Sequence, residues 1–315
     1  MRVLILGGTS LTGPFLVRRL HGLGHEVTVF HRGEHETNLP EGVRRLRGDW
    51  TRPPRELTAP APDVVVHMWT ATEAHAVRFL ELFRAAGRAV VISSGDVYRA
   101  YGCLRRAEFG PPGDIPIPED APLRESRYPY RGAKNAPLDN ADEYDKVLVE
   151  TALRAQSELP VTIVRYPAVY GPHDYHRFRP WLQKLETSGE LKISEGHAGW
   201  RWTHGFAEDV AEAVVLAVTN DRAAGRTYNV GEPSTPTWAG RLEEWGRIAG
   251  WRGRVVPVAA DELPENQRLP YDWSHHMAVD TSRIRAELGY AEVVPREEGI
   301  ARTIAWERAA AASRP

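Results

Sequence analysis

The chain of 315 residues has a single cysteine, Cys103. No intrachain disulfide can form, which excludes a disulfide-stapled extracellular scaffold and permits a reducing compartment. Long apolar runs are also missing. None approaches the ~20 residues that a bilayer-spanning helix needs, so no membrane partner is expected. Charge of one sign is absent as well, with 40 Lys and Arg against 42 Asp and Glu and a net charge of −2. That balance argues against gripping a phosphate backbone, and no nucleic-acid partner is expected. Met1 runs straight into a strand-like stretch, leaving no room for a secretory leader, so a cytoplasmic location is expected. There is no internal repeat, and the only biased tract is a short Ala-rich end after Trp306. What remains is a globular composition, 42% hydrophobic and 26% charged, on a chain long enough for one large core and a smaller lobe.

The most informative stretch is Val3-Leu4-Ile5-Leu6-Gly7-Gly8-Thr9-Ser10-Leu11-Thr12-Gly13. An apolar strand enters a glycine turn and leaves on a helix-like segment from Pro14 to Leu20. In that arrangement a dinucleotide diphosphate meets backbone N–H groups at a helix N-terminus. A tight turn with no ligand is the plainer reading. A second strand, Glu26 to His31, completes a βαβ unit of about thirty residues, the length a mononucleotide-binding unit requires. NAD-binding units usually end this strand on an acid that holds the ribose 2′-hydroxyl. Here His31 and Arg32 stand there, with no carboxylate in the position. A guanidinium suits a 2′-phosphate, so NADP(H) is the expected cofactor, with NAD allowed. Arg32 as a solvated turn residue is the alternative.

Strand-like runs fall at 2–6, 26–31, 43–47, 63–68, 88–93, 161–166 and 227–230. Helix-like runs fall at 14–23, 73–86, 142–156, 207–219, 239–249 and 282–288. Strict alternation predicts an α/β fold, a Rossmann-type doubly wound parallel sheet with a smaller C-terminal substrate lobe. The expected division is 1–170 with 202–232 for the nucleotide-binding domain, and 171–201 with 233–315 for the lobe. The lobe is rich in aromatics: Trp181, Trp200, Trp202, Trp238, Trp245, Trp251, Tyr271 and Trp273. These either stack on a substrate or fill a small core.

Six pieces in order resemble the extended short-chain dehydrogenase/reductases, the NAD(P)-dependent epimerase/dehydratase family. They are the glycine turn, Gly48-Asp49-Trp50, Ser93-Ser94-Gly95-Asp96-Val97-Tyr98, Arg165 through Pro172, Phe206 through Ala211, and Asp280 through Tyr290. The likeness covers nearly the whole chain. Ser10 replaces a middle glycine, and Ala168 stands in an asparagine position. The resemblance implies cofactor contacts from Gly7, Thr9, Ser10, Leu11, Thr12, Gly13, Arg32, Asp49, Trp50, Met68, Trp69, Ser93, Lys146, Pro167 and Val169. It also implies a catalytic serine at Ser94 and a Tyr-x-x-x-Lys pair, whose lysine tunes the tyrosine and holds a ribose.

That pair is where the chain departs from the pattern. Tyr130 and Lys134 have the literal spacing, but Pro137 follows and the sixth strand is too far away, so the match is coincidental. Lys146 sits better, with Glu150 four residues on and one helix before strand 161–166. Four residues before it stands Asp142, not tyrosine. Tyr144 is two residues before, nearly opposite Lys146 on a regular helix at ~100° per residue. An irregular helix start capped by Asp142 would let the two cooperate. The expected assignment is Ser94 on the substrate oxygen, Tyr144 as acid/base and Lys146 on the ribose, with Tyr98 or Tyr130 as substitutes for Tyr144.

The expected partner is a small polar substrate reacting at a hydroxyl or keto carbon, a nucleotide sugar first, with a homodimer left open. Arg201 is one place off the arginine that often meets the diphosphate, and Trp202 fills that slot; Arg177 and Arg179 are substitutes. The alternatives are a reductase of another carbonyl metabolite, which the aromatic lobe suits, and a non-catalytic cofactor-sensing or RNA-binding relative. The pairs His275/His276 and His173/His176 lack ligand spacing, so no metal site is expected.

Overall fold

The computed structural model describes residues 1–34, 37–49, 52–133, 140–174 and 177–312. Trp50, Lys134 and His176 lie outside these residues.

The first strand shows why the sheet is buried on both sides. In β1 (Arg2–Leu6), Val3 and Ile5 enter one hydrophobic cluster while Leu4 and Leu6 enter another. A strand apolar on both faces must be covered on both faces. The chain continues through α1 (Gly13–Gly22), β2 (Glu26–His31), β3 (Arg44–Arg47), β4 (Val64–His67), α2 (Glu73–Phe83), β5 (Arg88–Ser94) and α3 (Arg99–Leu104). Then come α4 (Lys146–Arg154), β6 (Val161–Tyr166), β7 (Ala168–Tyr170), α5 (Phe178–Thr187), β8 (Glu190–Ser194), α6 (Glu195–Gly199) and β9 (His204–Phe206). The remainder is α7 (Ala207–Thr219), β10 (Thr227–Asn229), α8 (Trp238–Ala249), β11 (Arg254–Val258), α9 (Ser282–Leu288) and α10 (Arg296–Ala312).

Seven strands form one parallel sheet in the order β10-β6-β5-β4-β1-β2-β3. This is the doubly wound order, and the direction of winding reverses between β1 and β4. Ligands bind at that switch, beyond the strand carboxyl ends. Helices α1 and α7 cover one face; α2 and α4 cover the other. Residues 282–290, counted above with the smaller lobe, put Ile284, Leu288 and Tyr290 into the main core beside α7 and β10. A separate aromatic cluster joins α5, α8 and α10 to the short parallel pairs β7/β9 and β8/β11. His197 stacks in it between Trp273, at 4.1 Å and 8°, and Trp238.

The expected helix over 142–156 begins later, at Lys146. Asp145, not Asp142, is the N-cap, accepting from Val147 N at 2.9 Å and Leu148 N at 3.3 Å. Asp142 instead accepts from Gly132 N at 2.7 Å.

The turn after β1 depends on one close approach. A Cβ on Gly13 would stand 2.4 Å from the Gly8 backbone, so α1 seats on the turn only with glycine there. Gly13→Ala is expected to lower stability by about 1–3 kcal/mol, the usual cost of overpacking, and to abolish dinucleotide binding. Urea denaturation and an NADPH titration check this; wild-type behaviour in both overturns it.

Burial holds His197 neutral, its pKa depressed to about 4. The unfolded ring takes a proton below about pH 6.5. Its contribution is therefore full above pH 6.5 and is lost as pH falls toward 4. His197→Phe is expected to lose less stability than wild type between pH 7.5 and 5.0, measured as the shift in urea midpoint.

Candidate active site

The site is best built from the glycine turn outward. Gly7 and Gly8 take φ values of +97° and +89°, and Gly7 N donates to Phe30 O at 2.9 Å. These left-handed angles are open to glycine at no steric cost. Helix α1 begins with no side-chain cap and no acid in its first turn. Its N-terminal N–H groups and positive dipole end therefore suit an anion. Around the turn, Ser10 O accepts from Gly13 N, Leu11 takes a φ of 48°, and Thr9 O accepts from the Thr37 hydroxyl. Met68 stands against Gly7, whose added Cβ would lie 3.3 Å from that of Met68. The Thr12 hydroxyl lies 3.4 Å from that of Tyr166, linking the turn to the cavity described below. This cradle, which added Cβ atoms would fill, fits a dinucleotide diphosphate.

At the end of β2 one expectation needs correction. Arg32 does have a carboxylate beside it: its guanidinium pairs with Glu34 at 2.8 Å. The acid lies two residues past the position where the sequence was read for one. Arg32 also lies over the Trp69 ring at 5.2 Å, and its carbonyl accepts from Arg47 Nε at 3.0 Å. Arg45 and Arg47 depress the His31 pKa, after burial itself. The neighbourhood is basic despite Glu34. Asp49 is exposed in the loop after β3, and its carbonyl accepts from Arg52 N.

Two further expected contacts face inward. The Ser93 hydroxyl donates to Glu150 at 2.7 Å, and Glu150 is held by a forked pair with Arg165 at 2.7–2.9 Å. Val169 packs in the sheet core, leaving only its backbone for a ligand. Pro167, by contrast, lines a cavity of about 120 Å³ with Ser94, Asp96, Tyr130 and Tyr166.

Beyond β5, Ser94 caps a short turn, accepting from Asp96 N at 3.3 Å. The Tyr144 phenol reaches this point from the other side. It donates to Asp96 Oδ2 at 2.8 Å, with the Ser94 hydroxyl as a further partner. Tyr144 can do so because it precedes the helix and so escapes the pitch that would point it away from Lys146. Lys146, the first residue of α4, sends its Nζ to Ile92 O at 2.8 Å and to Thr70 O. These carbonyls end β5 and follow β4, so the ammonium sits at the strand ends beside the switch point. Nζ lies 5.9 Å from the Tyr144 ring centre.

The electrostatics follow from burial. Desolvation pushes Tyr144 well above the usual phenol range, and the Asp96 charge adds to it. Burial also raises Asp96, opposed by Arg124 and the phenol hydrogen bonds. Burial lowers Lys146 to about 8, with Asp96 and Glu150 opposing. Near neutral pH the site holds a protonated phenol and a charged lysine.

The structure separates the two substitute tyrosines. Tyr98 donates to Asn229 at 2.6 Å and accepts from Arg165 at 2.8 Å, wholly buried behind these two cavity-lining residues. Tyr130 faces the site, 3.3 Å from Asp96 Oδ2 and 2.8 Å from the Tyr101 hydroxyl. Sequence reading missed Asp96 as a site residue, although it sits two residues past Ser94. It also missed the buried Arg124–Asp145 pair at 2.9 Å, whose members are far apart in sequence and carry no motif. Of the arginines weighed for a diphosphate, Arg179 pairs with Glu307 at 2.7 Å and Arg201 donates to Thr235 O at 2.7 Å. Arg177 lines the cavity.

The chain is 30% identical to a 2′-dehydrokanamycin reductase of Streptomyces kanamyceticus, over 84% of this chain and 71% of that one. It is 25% identical to a dTDP-glucose 4,6-dehydratase of Streptomyces niveus, over 98% and 93% of the two chains. Its fold matches the epimerase Mth375 of Methanothermobacter thermautotrophicus with a TM-score of 0.71 at 19% identity, covering 98% and 92%. No helix among the described residues is long and apolar enough to cross a membrane. Residues 3–231 match the NAD dependent epimerase/dehydratase family. With the winding order, the glycine turn and the serine strand in place, the chain belongs to that family and is an NAD(P)-dependent enzyme of the extended short-chain dehydrogenase/reductase type.

Proposed function

We propose that the protein is an NADP(H)-dependent reductase that converts a carbonyl group of a small substrate to a hydroxyl, with Tyr144 as the proton donor. The observation that carries this reading is the Tyr144 phenol, which meets Ser94 and Asp96, two residues that line a cavity, and is kept protonated by burial. A phenol held in its acid form is ready to give a proton to an oxygen that gains charge. The glycine turn and Lys146 would hold a nicotinamide cofactor, which when bound would supply a hydride to the carbonyl carbon. Ser94 holds the carbonyl oxygen and Tyr144, turning its hydroxyl away from Asp96, protonates it; the phenolate left behind takes a proton back from solvent water, and Asp96 serves as the acceptor that holds the phenol in place between turnovers. Lys146 holds its ammonium beside the phenol and toward the cofactor ribose.

Preference for the 2′-phosphate rests on Arg32 and Arg47. The Arg32–Glu34 pair is about half exposed, and such a pair contributes only ~0–1 kcal/mol. A doubly charged phosphate competes well against it. The nucleotide-sugar substrate has less support. Arg179 and Arg201 are engaged within the fold.

Tyr144→Phe is expected to lower kcat by about 10²–10⁴ and leave NADPH affinity within twofold, in stopped-flow assays with a panel of aldehydes and ketones. If the variant keeps full rate while Tyr130→Phe loses it, the proton comes from Tyr130 instead. Arg32→Ala is expected to weaken NADPH about tenfold and leave NADH unchanged, by fluorescence titration of both; an unchanged ratio overturns the NADP assignment. Asp145→Asn leaves Arg124 buried without its partner charge, which is expected to cost about 3–5 kcal/mol. A milder variant, Arg124→Lys, tests positioning: kcat should fall at least tenfold with KM little changed, since the Ser94–Tyr144 geometry loosens.

A further inference from the structure

A second cavity, of about 300 Å³, opens from the reacting end and shares Tyr101, Arg177, Trp202 and Met277 with it. Trp181, Trp200, Trp238, Trp245, Trp273 and Tyr271, with the shared Tyr101 and Trp202, make half of its lining. Two of these rings lie nearly parallel to His197, Trp273 at 8° and Trp238 at 4°, while Trp181, Trp245 and Tyr271 meet their neighbours edge-on at 75–80°. The two histidines in the wall, His197 and His204, are neutral, both depressed by burial. Among the described residues no carboxylate lines this cavity. Its charges among them are the guanidiniums of Arg105 and Arg177, and neither forms an ion pair with a described residue. Arg105 instead lies over Tyr130, Tyr271 and Tyr101 at 5.5–5.9 Å. Elsewhere arginines are closely matched: Arg124, Arg165, Arg179, Arg241 and Arg285 all hold acids.

These features select a ligand. Flat indole and phenol faces favour a planar ring, which they can cover by offset stacking. Two guanidiniums without an ion-pair partner among the described residues favour an anion, and disfavour a polycation, for which the described lining holds no counter-charge. A volume near 300 Å³ is at the small end of ligand sites and suits one ring system rather than a nucleotide joined to a sugar.

We propose that this cavity binds an aromatic or conjugated carboxylic acid. Its ring lies among the tryptophans, its carboxylate meets Arg177 and Arg105, and its carbonyl carbon points to Ser94 and Tyr144. This rests on the reductase reading above and names the substrate class for it.

The test is calorimetric titration of the NADPH-saturated protein with trans-cinnamate, cinnamyl alcohol, cinnamylamine, cyclohexanecarboxylate and UDP. Cinnamate is expected to bind at least tenfold tighter than each of the others. Arg177 is exposed, so Arg177→Gln should fold as wild type. It should weaken cinnamate about tenfold and leave the alcohol unchanged. Trp273→Leu should weaken cinnamate and the alcohol alike. Equal binding of the alcohol or the amine overturns the anion site, equal binding of cyclohexanecarboxylate overturns the stacking site, and tighter binding of UDP assigns the cavity to a nucleotide. Cinnamate binding to Tyr144→Phe separates the two proposals. If it stays as in wild type while turnover of 4-formylbenzoate is lost, both stand. If cinnamate fails to bind although Tyr144→Phe still abolishes reduction of simple aldehydes, only the substrate class falls.

Discussion

The Arg124–Asp145 pair is the constraint on which the site depends. Both side chains are wholly buried, and their charges meet at 2.9 and 3.2 Å. Two ions removed from water are tolerated only when almost every polar atom has a partner. Here that holds. Asp145 also accepts from Tyr128 N and caps α4, while Arg124 donates to Asp96 O and Ser126 O. One pair therefore joins the serine strand's turn to the helix that opens with Lys146. The backbone N–H of Asp145 reaches Ala71 O at 3.1 Å, which adds the end of β4 to the same junction. Ser94, Asp96, Tyr144 and Lys146 come from distant parts of the chain and meet because this junction holds them.

A second buried pair acts one layer deeper. Arg165 and Glu150 fork across β6 and α4, and draw in Ser93, Tyr98 and the Glu119 backbone. This fixes the height of α4 on the sheet, and with it the point where Lys146 emerges. The ammonium is then met by two main-chain carbonyls, a rigid acceptor pair that needs no acid of its own.

Much of the fold was legible because buried parallel strands write themselves as apolar runs, and β1, β2 and β6 fall where those runs lie. The glycine turn was legible for a related reason: close backbone approach leaves few residue choices at positions 8 and 13. The short elements were not. β8 and β11 each bury only part of one face, and α10 carries its buried side on Ile300, Thr303, Ile304 and Glu307 within an Ala-rich stretch. The start of α4 was misplaced because Asp142 and Asp145 are equally good caps in sequence, and only the partner Arg124 distinguishes them. The carboxylate beside Arg32 was missed because it arrives two residues late and folds back. The tryptophans could be read as core or as ligand platform. In the structure they are both, with one face packed and another lining a cavity.

Tyr144 sits outside the helix, and this changes how the family's chemistry can be inherited. A phenol four residues before a lysine on one helix is tied to helical periodicity, and any slip in register separates the two. Here the phenol's position is fixed by the cap that follows it and by the acid it reaches. The spacing between this phenol and the lysine is then set by the cap at Asp145 and the contact with Asp96 rather than by helical periodicity. A search by fixed spacing loses track of such a tyrosine; a search by its buried destination does not.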